Sequence, residues 1–381
     1  MVSRWLNGRG WEACAVVAIG KAAPAMMCGA VQVLEEQLLQ GLVITRKGHA
    51  DPRLLHHPTI VQLESAHPVP DESSLFAGQH LLDFISRQPH DRPLLFLLSG
   101  GASSLVEVLS PGVRLEDLRR LNQWLLGSGL DIRGMNNLRC RISRIKGGGL
   151  LRYVQGRPGK VLLISDVPGD DPAIIGSGLL YPQKWQEALP EVPGWISSLL
   201  REAPVTGQVP LPHHLIATSS HAVAAAARRA QVLDYPVRAD YPLLQGEAGE
   251  QGAAFAAFLC EASPGVHILG GETTVVLPQH PGRGGRNQHL ALAAAKVLAG
   301  RDDVLLLSAG TDGSDGSSDD AGALVDGQTW QRAVEEGLDP ELALQQADSG
   351  RVLEVTGDLV NTGPTGTNVM DLLIGLRLPC L

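Results

Sequence analysis

Short apolar runs alternate along the chain with glycine- or serine-containing turns and with longer segments of helical spacing. This order is typical of parallel β-α-β construction. In the first half it predicts strands at 14–19, 42–45, 94–98, 160–165 and 215–218, and helices at 22–40, 72–87 and 220–231. In the second half it predicts strands at 266–269, 304–308 and 372–376, and helices at 246–261 and 287–299. The strand at 94–98 is apolar throughout, which predicts a central position in its sheet.

These elements predict an α/β protein of two domains, each a mainly parallel sheet flanked by helices. Residues 1–240 form a predicted Rossmann-like domain and residues 241–381 a second α/β domain. The boundary is placed near 240 because the stretch 236–245 is linker-like and contains two prolines. The irregular, proline-rich stretch 182–212 contains Trp185 and Trp195, which we interpret as packing anchors.

Composition and charge narrow the range of possible partners and compartments. The 381 residues carry a net charge of −9, which argues against a nucleic-acid or membrane-surface partner, because such partners usually need a basic face. The five cysteines contain no C-x-x-C pair, which indicates a reducing compartment. No apolar run approaches about 18 residues, and residues 1–11 lack a signal-peptide core. The sequence therefore predicts a cytoplasmic protein. A homodimer is an option that it leaves open.

Two turns in the first half point to an anionic ligand. Lys21 follows the first strand, at the position where open α/β sheets bind their ligands. The second turn, S-G-G-A-S-S, follows the strand at 94–98 and contains Ser99, Gly100, Gly101 and Ser103. Backbone N–H groups in such a turn form an anion-binding nest. A tight strand-to-helix connection explains the same sequence equally well.

Charged residues follow in two further stretches of the first half. Asp166, Asp170 and Asp171 come after the strand at 160–165, where carboxylates can meet Mg²⁺ or a substrate hydroxyl. Turn and cap roles are the alternative for Asp170 and Asp171. The run N-N-L-R-C-R-I-S-R-I-K-G-G-G at 136–149 is interpreted as a solvated helix face, although its closing glycines fit a helix poorly.

The second half contains its own candidate anion site, in the stretch 270–288. It carries Glu272, Arg283 and Arg286, with glycines at 282, 284 and 285 before a predicted helix. Glycines permit close backbone approach, and the helix start offers free N–H groups, so the stretch predicts a phosphate or carboxylate receptor. The alternative is a mobile hairpin with solvated arginines. Acids at 312, 315, 319 and 320 form a later loop, but their spacing does not match a calcium-binding loop.

Several known signatures are missing from the sequence. There is no G-x-x-x-x-G-K-[ST] loop, and the first strand is followed by G-K-A-A instead of a dinucleotide fingerprint. Protein-kinase H-R-D and D-F-G elements, H-E-x-x-H zinc ligands and a G-x-S-x-G elbow are also absent.

An ordered series of motifs nevertheless carries a resemblance over nearly the whole chain. The motifs are G-K-A-A-P-A-M, S-G-G-A-S-S-L, R-I-S-R-I-K-G-G, S-D-V-P-G-D-D, G-G-E-T-T-V with G-R-G-G-R-N-Q, A-G-T-D-G-S-D-G and T-G-P-T-G-T-N. This series resembles the type-2 glycerate kinases, the MOFRL family. The resemblance implies phosphorylation of D-glycerate to 2-phosphoglycerate, with ATP and Mg²⁺ as cofactors, in a cleft between two α/β domains. It also implies key active-site roles for Lys21 and Arg286.

Within that implied reaction, Lys21 and Arg286 neutralise the moving phosphoryl group or hold the glycerate carboxylate. Asp166 is the third predicted catalytic residue. The candidate metal ligands are Asp166, Asp170, Glu272 and Asp312, and one of these acids instead accepts the hydroxyl proton. Further predicted substrate or nucleotide contacts are Ser99, Gly100, Gly101, Ser103, Lys146, Asp170, Glu272, Arg283, Asn287, Thr311, Asp312, Asp315 and Thr365.

Two departures from the family pattern produce expectations of their own. Family members carry a longer helical lead-in before the first strand, so we expect a helix to be missing ahead of residue 14 or the start to be misplaced. Ala102 also stands where the family has a third glycine, which puts close backbone approach to a ligand at that point in question.

Three rival functions stay open at this stage. A hydroxypyruvate reductase needs nicotinamide binding, and the missing fingerprint argues against it. A kinase for another small hydroxy acid is compatible with the same motifs. A non-catalytic ligand-binding module is the third rival. The co-occurrence of acidic residues with two basic loops favours an enzyme over such a module.

Overall fold

The first half of the chain forms a parallel sheet in the computed structural model, which describes residues 1–182, 189–201 and 210–379. Trp185 lies outside these residues. The described strands of the first half are β1 (Cys14–Ile19), β2 (Leu38–Arg46), β3 (Ile60–Ser65), β4 (Leu94–Leu98), β5 (Gly159–Ile164) and β6 (His213–Ala217). Their order is β3-β2-β1-β4-β5-β6, and all neighbours run parallel. This is the Rossmann-like order, so that prediction is confirmed.

Burial explains why the sequence located these strands well. Every residue of β1 and of β4 is buried, because helices cover both faces of the sheet. The predicted bounds 14–19 and 94–98 are correct, and β4 is central as predicted. The strand β3 was not predicted, since only its two end residues are fully buried and its apolar signal is weak.

Helices and short turns connect these strands. They are α1 (Val2–Leu6), α2 (Ala23–Leu34), α3 (Pro52–Leu55), α4 (Glu72–Ser86), α5 (Ala102–Leu105), α6 (Leu115–Gly127), α7 (Ile132–Arg141), α8 (Leu151–Val154) and α9 (Gly194–Ser197), with 3₁₀ turns at Glu35–Gln37 and Ile175–Ser177. The predicted helix 22–40 is too long. Glu35 takes a φ of 46° and ends α2, and β2 begins only three residues later. Trp195 lies in α9 and packs in an apolar cluster with Arg120 over its ring, as a packing anchor should.

The start of α4 gives a prediction on stability. Asp71 is the N-cap, accepting a hydrogen bond from the Ser73 backbone N–H at 2.8 Å, and Lys47 donates to its carboxylate at 2.9 Å. We expect Asp71→Ala to lower the free energy of unfolding by about 1 kcal/mol, because an N-cap is lost. Hydrogen bonds from Ser73 and Lys47 hold the pKa of Asp71 at about 2, below the usual 3.8.

The pH dependence of this effect follows from the lowered pKa. The Asp71 carboxylate contributes fully above pH 4, and its contribution is lost as the pH falls through about 2. Urea titrations of both proteins at pH 7 and in increasing acid measure the difference. A difference that grows in acid contradicts this account.

The second half forms a sheet of different construction. Its described strands are β7 (Val237–Arg238), β8 (Gly265–Gly271), β9 (Val304–Gly310), β10 (Gly322–Asp326), β11 (Leu359–Val360) and β12 (Asp371–Arg377), in the order β11-β10-β9-β12-β8-β7. Its helices are α10 (Ser219–Val232), α11 (Ala248–Glu261), α12 (Arg286–Leu298), α13 (Thr329–Glu335), α14 (Pro340–Gln345) and α15 (Ser349–Thr356).

The α/β class is confirmed for this half, but the prediction of a mainly parallel sheet is corrected. Only the β7–β8 pair is parallel among the described ladders, while β12 runs antiparallel to both β8 and β9, and β10 to both β9 and β11. The strands β9 and β12 alternate buried with half-buried residues, as strands of antiparallel sheets commonly do. The prediction relied on apolar runs and did not weigh this alternation.

The chain divides between Ala217 and Thr218, earlier than the predicted boundary near 240. Helix α10, assigned by sequence to the first domain, belongs to the second unit, because its Ala230 packs with Val266 and Ile268 of β8. Within residues 1–182, 189–201 and 210–379, no helix combines the length and apolar character needed to cross a bilayer.

Candidate active site

The first candidate site lies where the order of the parallel strands reverses. Strands β1 and β4 are neighbours, yet the chain continues from β1 to β2 on one side and from β4 to β5 on the other. Ligands of open α/β sheets bind at such a switch point, beyond the carboxyl ends of the strands. Lys21 follows β1, Gly100 and Gly101 follow β4, and Asp166 follows β5. The topology therefore brings these four predicted residues to one edge of the sheet.

Hydrogen bonds tie the turn after β1 to the turn after β4. The Lys21 backbone N–H donates to the Gly100 carbonyl at 2.9 Å, and the Ala22 N–H donates to the Ser99 hydroxyl at 3.1 Å. Ser99 is fully buried, and a Cβ at Gly20 would lie 2.1 Å from its Oγ. The Ser99 hydroxyl thus holds the two turns together and faces the protein instead of a ligand.

Side chains surround the two glycines after β4. A Cβ at Gly100 would lie 1.7 Å from the Asp166 Oδ2, so the carboxylate occupies the space that any larger residue would need. Gly101 has a φ of 83°, and a Cβ there would lie 3.0 Å from the His67 Nε2 and 3.3 Å from the Lys21 Cγ. Lys21, His67 and Asp166 therefore gather around the glycine pair. His67 was not predicted, because only the fold brings it to this turn.

The departure at Ala102 does not disturb this turn. Ala102 opens helix α5 and is fully buried in the core of the first unit. Its methyl group packs against the bare Cα of Gly176, where a Cβ would lie 3.2 Å away. Gly101, with its positive φ, is the position that needs glycine, and the alanine that follows it points inward.

Behind the turn, a chain of hydrogen-bonded polar side chains links it to the segment after β5. The Ser103 and Ser177 hydroxyls are 2.9 Å apart, and Ser177 donates to the Asn136 Oδ1 at 3.2 Å. Asp170 lies in a turn with a φ of 54°, and Asp171 accepts from the Ala173 N–H at 3.0 Å, which matches the turn and cap reading. Ser103 therefore contributes to the support of the turn.

Lys146 is placed differently from both sequence interpretations. It is only 2% exposed, and its Nζ donates to the Glu107 Oε2 at 2.6 Å. The other carboxylate oxygen of Glu107 accepts from the Ser143 Oγ at 2.6 Å and from the Val108 N–H at 2.9 Å. The interpretation as a solvated helix face is thus wrong for Lys146. The structure also shows no ligand-facing ammonium at this position, because the Lys146 ammonium is buried in an internal ion pair.

This buried pair gives a second prediction on stability. We expect Lys146→Met to lower the free energy of unfolding by about 3 kcal/mol or more, because it leaves the Glu107 carboxylate buried without its cation. Adding Glu107→Gln should recover part of the loss. Thermal denaturation measures both variants beside Arg144→Met, a change at an exposed neighbour. Equal losses for the single and double variants would contradict the role of the pair.

The second candidate site lies at one edge of the second sheet. In the strand register, Asp371 at the start of β12 is opposite Gly271 at the end of β8 and Gly310 at the end of β9. The side chain of Arg286, the first residue of α12, reaches this edge. Its Nε and Nη2 donate to the two Asp371 oxygens at 2.6 and 2.9 Å, and its Nη1 lies 3.1 Å from the Glu272 Oε1.

Burial makes the Arg286 contacts strong. Asp371 is 2% exposed, whereas the Arg286 and Glu272 side chains are 31% and 41% exposed. Burial alone lowers the pKa of Arg286, but the hydrogen bonds and charge of Asp371 outweigh it and hold the pKa above its usual value. Asp371 was missed by sequence reasoning. The sequence signal that could have identified Asp371 was an aspartate at the start of an apolar strand.

Two backbone N–H groups at the start of α12 are taken by a protein carboxylate, although the anion-receptor prediction assumed that they were free. The Asp315 carboxylate accepts from the Asn287 and Gln288 backbone N–H groups at 3.1 and 2.8 Å. It also accepts from the Asn287 side chain at 3.2 Å. Burial raises the pKa of Asp315 to about 6, although these N–H groups act in the opposite direction. A protein carboxylate thus fills the place predicted for a ligand, and Asn287 helps to hold it.

The glycines and the second arginine of this stretch also contact the protein itself. A Cβ at Gly285 would lie 2.3 Å from the Asp315 Oδ1, and one at Gly282 would lie 2.3 Å from the Asp348 Cβ. Arg283 pairs with Glu354 at 2.6 Å and Asp320 at 3.4 Å on an exposed surface. Its predicted ligand contact stays a prediction.

The remaining predicted residues lie beside the end of β9. Thr311 donates to the Met370 carbonyl at 2.6 Å, and the exposed Thr365 donates to the Thr311 carbonyl at 2.5 Å. A Cβ at Gly310 would lie 3.3 Å from the Asp312 Oδ1 and 3.5 Å from the Asp371 Oδ1. The Asp312 and Asp371 carboxylates therefore both lie beside Gly310, at the end of β9.

The four predicted metal ligands are divided between the two units. Asp166 and Asp170 belong to the first unit, and Glu272 and Asp312 belong to the second. Across the residues that the structure describes, no three His, Cys, Asp or Glu side chains are grouped to hold a metal ion.

Taken alone, the switch point of the first unit is suited to a small anionic ligand, because it combines a lysine, a glycine pair and a carboxylate. Comparisons with known proteins extend this. Residues 3–192 match a domain of unknown function (DUF4147), and residues 265–371 match the MOFRL family. A D-glycerate 2-kinase of Thermotoga maritima is 36% identical over 380 residues, covering 95% of this chain and 90% of that protein.

Two further comparisons also cover most of both chains. A protein of Agrobacterium vitis, provisionally named hydroxypyruvate reductase, is 38% identical, covering 94% of this chain and 86% of its own length. A crystal structure of glycerate kinase from Thermotoga maritima matches with a TM-score of 0.87 and 35% identity, over 99% of this chain and 95% of that chain. The chain belongs to the glycerate kinase family that carries the MOFRL domain.

Proposed function

We propose that this protein transfers the γ-phosphoryl group of ATP to the 2-hydroxyl of D-glycerate, giving 2-phosphoglycerate and ADP. Family membership supports the reaction, since the match to the D-glycerate 2-kinase of Thermotoga maritima covers 90% of that protein. The observation that carries the proposal is the gathering of Lys21, Gly100, Gly101 and Asp166 at the switch point. Because ATP is the proposed donor, we also propose that the protein acts in the cytoplasm.

Phosphoryl transfer needs positioning and charge neutralisation more than covalent help. Lys21 supplies a cation beside a glycine turn whose backbone a phosphate or carboxylate can approach closely. Arg286 supplies a second cation, held in place by Asp371. In the proposed reaction one of them holds the glycerate carboxylate and the other neutralises the transferred group.

The residues at the switch point fit Mg²⁺ bound together with ATP. The Asp166 carboxylate fills the space beside Gly100 that a Cβ would occupy, which fixes its position at the strand end. Mg²⁺ is commonly held by one or two carboxylates together with substrate phosphates, so a cage of protein ligands is not required. The ion would neutralise phosphate charge. Asp170, Glu272 and Asp312 remain the other candidate ligands, and any of these acids can instead accept the hydroxyl proton.

A product assay tests the proposal. Purified protein is incubated with ATP, Mg²⁺ and D-glycerate, and the products are separated to distinguish 2- from 3-phosphoglycerate. We expect 2-phosphoglycerate and ADP in equal amounts. L-glycerate and other small hydroxy acids, assayed in parallel, measure specificity. ADP formation with another acid but not with D-glycerate would replace the proposed substrate, and absence of ADP with all acids would contradict the kinase.

The name of the Agrobacterium relative makes one control necessary. Hydroxypyruvate and NADH are offered to the same preparation, and NADH consumption is followed. We expect none, because the turn after β1 reads Gly20-Lys21-Ala22-Ala23 and lacks the glycine pattern that receives a dinucleotide pyrophosphate. Consumption of NADH would favour the reductase.

A further inference from the structure

The segment joining β3 to α4 brings a histidine to the switch point from the far edge of the sheet. Strand β3 is the edge strand, and two strands, β2 and β1, separate it from β4. With about 4.8 Å between neighbouring strands, β3 lies about 14 Å from β4. The His67 imidazole, two residues after β3, nevertheless lies 3.0 Å from the position of a Cβ on Gly101, just after β4. The segment therefore crosses the carboxyl edge of the sheet towards Lys21.

Both ends of this crossing segment are anchored. The Ala66 backbone N–H donates to the Ser73 Oγ at 3.0 Å, in the first turn of α4. At the other end Asp71 caps the same helix. His67 is half-buried between these anchors. A short connection with two fixed ends positions a side chain better than a free loop does.

The turn after β4 is shaped to receive this imidazole. Gly101 has a φ of 83°, which a residue with a side chain rarely adopts. The ring edge carrying Nε2 and Cδ2 lies against its bare Cα, and the Lys21 Cγ lies on the same side at 3.3 Å from the Cβ position. A side chain at 101 would push both residues away. The geometry therefore places the His67 imidazole and the Lys21 side chain around one point at the glycine pair.

We propose that His67 is a further substrate-contacting residue, whose imidazole Nε2 hydrogen-bonds an anionic oxygen of the ligand that Lys21 holds. The proposal rests on the proposed function, which supplies two ligands with such oxygens, the glycerate carboxylate and the ATP phosphates. The shared chemistry is a carboxylate or phosphoryl oxygen, and the kinetics identify its source.

The test compares His67→Ala and His67→Gln with His90→Ala, a control at an exposed histidine before the amino end of β4. We expect His67→Ala to lower kcat/KM about 10- to 100-fold, as loss of a hydrogen bond to a charged group does. His67→Gln should keep part of the activity, because its amide N–H can donate. A rise in KM for D-glycerate identifies the carboxylate as partner, and a rise in KM for ATP identifies a phosphate. Unchanged kcat/KM in both His67 variants would overturn the proposal.

A binding measurement separates this inference from the proposed function. The rise in Tm caused by D-glycerate, and separately by ATP, is recorded for the wild type and the three variants. If the wild type binds a ligand but forms no phosphoglycerate, the proposed reaction fails, and His67 is judged by binding alone. A smaller Tm rise in His67→Ala than in His90→Ala supports the contact. An equal rise in both, or no rise in the wild type with either ligand, would overturn it. Should His67→Ala not fold, His67→Gln and His67→Asn take its place.

Discussion

Lys21→Ala is expected to lower the turnover of D-glycerate phosphorylation by about 100- to 1000-fold, the loss typical of removing one group that stabilises transition-state charge. The fold should survive, because the link between the turns uses the Lys21 backbone N–H, which alanine retains. Steady-state kinetics measure the turnover, and thermal denaturation checks the fold.

Two further lysine variants control this result. Lys160→Ala removes an exposed cation at the start of β5, near the opposite end of the strand from Asp166, and should leave turnover unchanged. Lys21→Arg keeps the charge but changes its shape, so partial activity indicates a simple charge requirement. Wild-type turnover in Lys21→Ala would remove Lys21 from the reaction.

Arg286→Ala is expected to lower both turnover and stability. Turnover should fall about 100- to 1000-fold if the guanidinium contacts substrate. The free energy of unfolding should fall by about 3 kcal/mol, because Asp371 is 2% exposed and would lose its bidentate partner. The contact with buried Asp371 thus makes Arg286→Ala a change in stability as well as in activity.

A double variant separates the two effects. Arg286→Ala with Asp371→Asn removes the unpaired charge, so stability should partly recover while turnover stays low. Calorimetry and steady-state kinetics on the single and double variants give the comparison. If activity returned with stability, Arg286 would act only through the fold of the second unit.

Local sequence signals predicted the elements that depend on local physics. Strands β1 and β4 were predicted to the residue because both faces are buried, and the start of α4 was predicted at residue 72 because helix initiation depends on neighbouring residues. The positions of Lys21 and Asp166 beyond strand ends were also predicted, since each lies two residues after a buried strand.

Contacts between distant residues could not be predicted in this way. Lys146 appeared solvated because its partner, Glu107, lies 39 residues earlier, and Asp371 lies 85 residues from Arg286. His67 depends on a segment crossing the sheet edge, and Asp315 caps a helix that begins 29 positions before it in the chain. Each of these requires the tertiary fold, which a pattern of residue types does not contain.

The place of β12 has a consequence for biosynthesis. This strand lies between β8 and β9 and forms ladders with both, although it is made about a hundred residues after β8. During translation, one edge of β8 and one edge of β9 therefore stay unpaired until residues 371–377 leave the ribosome. A premature stop codon just ahead of this strand should therefore yield an aggregating polypeptide, however much of the coding region is intact.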